Sequence, residues 1–172
     1  MRSLVLASTT ALTIATGAFG AELWVGFDLS DSSPLLNEDT VALSAGTMVA
    51  TAVRSMQRGD AVMLRSFGEA GVSEQQINIT INLTGQQRPD RIAAELETLI
   101  ASLPERARQG QLQLEGRTNL MGWLERVGPT LNCNATPTKV IVLTDGIEWS
   151  DAIQGDDLLQ GAPLPAPSGA IL

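Results

Sequence analysis

The sequence predicts an α/β fold, in which a mostly parallel central sheet with one antiparallel edge strand is flanked by helices. Three observations point there. Two apolar runs, Leu23-Trp24-Val25-Gly26-Phe27 and Val140-Ile141-Val142-Leu143, each give way to a polar turn that carries an aspartate; short apolar runs bounded by turn residues are the pattern of buried parallel strands. Between them, apolar residues recur at intervals of three and four, the spacing of a helix face. One segment, Ile77 to Leu83, instead alternates apolar with polar residues.

The first twenty residues read as a leader. Met1-Arg2 supplies a positive charge, Leu4 to Phe19 is apolar or small, and Ala18-Phe19-Gly20 offers small residues at the positions a signal peptidase needs, predicting cleavage before Ala21. The apolar stretch is shorter than the roughly 20 residues of a membrane span, and no later stretch reaches that length. The expected location is therefore exported, periplasmic or secreted, with no membrane span in the mature chain.

The first strand, Leu23 to Phe27, stops at Asp28. Asn37 to Met56 follows as a helix with Ala42, Ala45, Val49, Ala52, Val53 and Met56 on one face, ended by Gly59-Asp60. Ala61 to Phe67 reads as a second strand. In the next segment Ile77, Ile79, Ile81 and Leu83 alternate with Asn78, Thr80 and Asn82, giving one wet and one dry face, as on a sheet edge hairpinned to the strand before it. Arg88-Pro89-Asp90 opens a helix with Ile92, Leu96, Leu99, Ile100 and Leu103 on one side and Pro104 past its end. Leu120, Trp123, Leu124 and Val127 repeat the helical spacing. The last strand, Val140 to Leu143, runs into Thr144-Asp145-Gly146, and the Pro- and Gly-rich tail after Asp151 reads as loop.

Composition excludes several chemistries. The net charge is −8 with no Lys/Arg cluster, so the electrostatic footprint of a nucleic-acid binder is missing. There is no histidine, which removes the Ser-His-Asp and Cys-His nucleophile systems and every His-containing zinc site. The single cysteine, Cys133, has no partner for an internal disulfide and reads as a half-buried spectator thiol.

What remains is a set of oxygen donors. In open α/β sheets ligands bind outside the carboxyl ends of the strands, where the strand order reverses. Asp28-Leu29-Ser30-Asp31-Ser32 follows the first strand, Thr118 lies in the Gly116-Arg117-Thr118-Asn119 loop, and Asp145 follows the last strand. Two carboxylates and three hydroxyls suit a hard cation such as Mg²⁺. With so few anionic ligands the metal stays under-neutralised, so an incoming carboxylate would complete both its charge and its coordination. Taken alone, Ser30, Ser32 and Ser33 would instead cap the helix that follows. Asp31 reads as a solvated loop acid, Glu148 and Asp151 as surface acids, Trp123 as core, and Trp149 as a candidate contact residue.

This constellation resembles the von Willebrand factor type A domain and its metal-ion-dependent adhesion site. In that family Asp-x-Ser-x-Ser follows the first strand, a Thr stands in a middle loop and an Asp follows the fourth strand; Asp28, Ser30, Ser32, Thr118 and Asp145 occupy these positions in the same chain order. The resemblance implies a three-layer Rossmann-like fold over residues 22–172. It implies that Ser30, Ser32 and Thr118 coordinate Mg²⁺ or Mn²⁺ through hydroxyls, and that Asp28 and Asp145 do so directly or through water. It also implies a protein partner presenting an Asp or Glu carboxylate. Arg117 departs from the small residue that often precedes the Thr. The family normally adds two strands and helices after the Asp-Gly turn, whereas 26 residues follow Gly146 here, so the domain is expected to be incomplete at that edge. The expectation is a binding or adhesion module and not an enzyme. The alternatives are a structural module of an envelope assembly with a stabilising or decayed cation site, and a Mg²⁺-dependent phosphoryl-transfer enzyme with Asp28 as nucleophile. Against the last, Ser30 stands where aspartyl-phosphate hydrolases of the haloacid dehalogenase type carry a second Asp.

Overall fold

A computed structural model describes residues 20–68, 76–131 and 133–148. Its elements run β1 (Glu22–Asp28), α1 (Pro34–Asn37), α2 (Asp39–Arg54), β2 (Ala61–Phe67), β3 (Asn78–Asn82), α3 (Pro89–Ala101), α4 (Leu103–Arg108), α5 (Leu120–Val127) and β4 (Thr138–Leu143). The chain is an α/β protein with an open mixed sheet flanked by helices, compatible with a Rossmann-like fold. Among the described residues the sheet has four strands in the order β3-β2-β1-β4. β1 is parallel to β2 and to β4, and β3 is antiparallel to β2 at the edge.

Side chains alternate across the pleat, so β1 and β2 each feed two cores. Leu23, Val25 and Phe27 of β1 join Val62 and Leu64 of β2 on one face, packed against Ala42, Ala45, Val49 and Val53 of α2 and Ile92, Leu96 and Ile100 of α3. Each fully buried Val, Leu, Ile or Phe side chain here contributes about 1.5–3 kcal/mol. The opposite face carries Trp24, Met63 and Phe67 and is covered by Trp123 and Val127 of α5. The Trp123 and Phe67 rings lie 5.3 Å apart. Gly26 makes room for this layer: a Cβ there would stand 2.9 Å from the Trp123 ring.

Most elements lie where periodicity places them, and four details differ. Ile79, expected on the dry face of the edge strand, is 41% exposed; Pro104 lies past the end of α3 as expected, and there it stands in the first turn of α4, where its missing N–H costs nothing. Leu124 is 39% exposed, because an eight-residue helix buries only a narrow stripe. Val140 is 37% exposed, since β4 is an edge strand of the sheet among the described residues. Cys133 is exposed, not half-buried. The tail after Asp151, together with Trp149, lies outside the described residues, as does the leader through Phe19. Among the described residues no helix is long and apolar enough to cross a membrane.

Candidate metal centre

The strand order reverses at β1. The chain steps from β1 to β2 and β3 on one side and returns to β4 on the other, which opens a crevice at the carboxyl ends of β1 and β4. Asp28 is the last residue of β1, and Asp145 lies two residues past the end of β4.

Asp28 is fully buried. Its Oδ1 accepts the Ser30 N–H at 2.9 Å, and its Oδ2 accepts the Thr144 hydroxyl at 2.7 Å. Burial pushes its pKa above the usual carboxylate range; the Ser30 N–H, Thr144 and the Ser30 hydroxyl pull it back, and neighbouring Asp145 pushes it up again. No basic side chain is among the groups acting on it.

The Ser30 and Ser32 hydroxyl oxygens lie 3.4 Å apart, and the Ser32 hydroxyl donates to Asp145 Oδ2 at 3.2 Å. Asp145 Oδ1 accepts the Ile147 N–H at 2.9 Å, while the Thr144 hydroxyl accepts the Gly146 N–H at 3.1 Å. Gly146 has φ +79°, a left-handed conformation that glycine adopts at no steric cost. Four of the five expected residues are therefore linked, directly or through Thr144, from two loops 113 positions apart.

Thr118 is buried and held nearby by its neighbours. On its amino side Glu115 forms a parallel bridge with Ser30: the Asp31 N–H donates to the Glu115 carbonyl at 2.8 Å, and the Glu115 N–H to the Leu29 carbonyl at 3.1 Å. On its carboxyl side the Asn119 side chain caps α5 by accepting the Gly122 N–H at 2.8 Å. Among the described residues no hydrogen bond joins Thr118 to the other four.

Two contributors escape a reading of the sequence. Thr144 is the donor to Asp28, and its only local signal is a hydroxyl directly before Asp145. Glu148, expected at the surface, is buried. Its Oε2 accepts the Leu120 and Met121 N–H groups at 2.7 and 3.2 Å, joining the Asp145 loop to the start of α5. Its partners lie 27 and 28 residues away, so no local pattern announces it. The expected capping role of the serines is not seen for Ser33, which stands before α1 without a side-chain cap bond; its buried hydroxyl has no partner among the described residues. Asp31 is exposed, as expected of a loop acid.

The donor set fits a small hard cation. Octahedral oxygens at about 2.0–2.1 Å from a Mg²⁺ ion stand about 2.9 Å from each other, close to the Ser30–Ser32 and Ser32–Asp145 separations. Two carboxylates near each other, one of them fully buried, form an anionic site that a cation would neutralise. Among the described residues no group of three or more His, Cys, Asp or Glu forms a metal cluster, so any cation here would depend on hydroxyl donors. Compared with known proteins, the chain matches no family model and no curated protein.

Proposed function

We propose that this chain is a cation-dependent binding module of the von Willebrand factor type A kind. Asp28, Ser30, Ser32, Thr118 and Asp145 hold Mg²⁺ or Mn²⁺, and the ion captures an Asp or Glu carboxylate of a protein partner outside the cell membrane. The observation that carries this proposal is the meeting of Ser32 with Asp145 at 3.2 Å beside Ser30, at the switch point of the sheet. Five protein oxygen donors leave one position of an octahedral divalent ion open, and a carboxylate supplies the missing ligand.

The test is thermal unfolding under Mg²⁺ or Mn²⁺ titration. A ligand that binds only the folded state raises the melting temperature with concentration, so the intact protein should be stabilised and Asp145→Ala should show no response. A flat titration in the intact protein would refute the proposal.

The direct Ser32–Asp145 hydrogen bond also favours a second reading, in which the same donors tie the two loops together without metal in a structural module. Under that reading Asp145→Ala lowers stability equally with and without Mg²⁺.

A further inference from the structure

We infer that Asp60 is the receptor for a new amino terminus, formed at Ala21 when residues 1–20 are removed. This goes beyond the cation site and rests on the leader expected from the sequence. The Ala21 nitrogen lies 2.8 Å from Asp60 Oδ1 at the end of the sheet opposite the cation site. Asp60 is 9% exposed, and its Oδ2 accepts the Gln57 N–H at 2.7 Å. Backbone bonds hold it on both sides: its N–H donates to the Gln57 carbonyl at 3.1 Å, its carbonyl accepts the Leu83 N–H at 2.8 Å, and the next N–H, of Ala61, donates to the Ala21 carbonyl at 2.9 Å. The carboxylate is thus fixed in place, and among the described residues no Lys or Arg forms an ion pair with it.

The uncleaved chain presents only a neutral amide to this carboxylate. It also passes close to the Gly59–Asp60 turn: a Cβ on Gly20 would overlap the Gly59 carbonyl, so position 20 admits only glycine without a shift. Hydrolysis of the Gly20–Ala21 bond by an endopeptidase consumes one water. The C–N bond breaks, the water oxygen joins the Gly20 carbonyl carbon as a carboxylate, and the Ala21 nitrogen leaves as an ammonium. The contact then becomes a charge-assisted bond, about twice as strong as a neutral one, and the crowding at Gly20 disappears. The mature fold is consequently tighter than its precursor, a useful order of events for a chain exported before it folds.

The sign of the pH effect follows. Pairing with Asp60 raises the folded-state pKa of the α-ammonium above its ordinary value of about 7.7–8.0. Its stabilisation is fully present below that value and is lost as pH rises through the raised one. The charged residues nearest in sequence and register to the Ala21–Asp60 contact are Glu22, which accepts from the Trp24 ring N–H, and the exposed Arg58 and Lys139; they, like Arg54, Arg65 and Asp28 farther along α2, β2 and β1, are common to every chain compared below.

Three chains are to be compared in chelator, so that the cation site does not contribute: the full chain, one released from a carrier to begin at Ala21, and one beginning at Gly20. Intact mass of the exported protein reports the natural start. The expected start is Ala21. Its chain should melt highest at about pH 6–7, with the advantage shrinking toward about pH 10, and Asp60→Asn should remove the difference. Should that variant fail to fold, the comparison of Gly20 and Ala21 starts still decides. An exported protein that begins elsewhere, or equal melting profiles for the two starts, would overturn the inference.

Discussion

The Thr144 hydroxyl reaches across 116 positions to donate to Asp28 Oδ2 at 2.7 Å. Thr144 is neutral, so the bond steadies the buried carboxylate without balancing its charge. The aspartate at the heart of the site is therefore held in place by neutral donors, the Ser30 N–H and the Thr144 hydroxyl.

Without metal, that charge opposes folding. Because the folded-state pKa of Asp28 is raised, chiefly by burial, the folded state keeps its proton to higher pH than the unfolded chain. Stability thus declines as pH rises from the ordinary carboxylate range through the raised value. Asp28→Asn keeps the shape and removes the charge, so in chelator at neutral pH it should melt higher than the parent. It should also flatten the acid side of the pH profile and abolish any response to Mg²⁺. A variant that melts lower than the parent in chelator would show that the charge is compensated.

Glu148 joins two parts of the site. Glu148→Ala strips two N–H groups of α5 of their acceptor and should cost about 0.5–2 kcal/mol, the usual value of a helix cap. Chemical denaturation measures that loss. If Thr118 is a cation ligand, the same substitution should also weaken Mg²⁺ binding, because the Thr118 loop leads directly into the released helix end.

Gly26 faces the Trp123 ring. Gly26→Ala overfills the contact between sheet and α5 and should destabilise by about 1–3 kcal/mol. The change should appear in the tryptophan emission of the folded state as well as in the denaturation midpoint. An unchanged midpoint would mean that α5 can slide to accommodate the methyl group.

Cys133 is exposed. A bulky aromatic disulfide reagent should label it in the native protein within the same time as in the unfolded protein, with no loss of helix signal by circular dichroism. Protection of the thiol in the native state would place it under cover.

How far the sequence could be read depends on whether the physics was local. Ile77 to Leu83 announced an antiparallel edge strand because alternation is a property of neighbouring residues, and β3 lies at the edge beside β2. Ala42, Ala45, Val49 and Val53 announced the buried face of α2 for the same reason. Pro104 marked the end of α3 correctly, while α4, which it also opens, went unread because six residues are too short for a periodic pattern.

The sequence by itself determined the four strands and the helices α2, α3 and α5, and that Asp28 and Asp145 follow apolar strands, because side-chain period and turn chemistry are written in consecutive residues. Only the tertiary structure decided that β4 lies beside β1, which brings Ser32 to Asp145, Thr144 to Asp28 and Glu148 to the start of α5. Strand order is set by which faces can be buried together across the whole chain, and no run of neighbouring residues encodes it.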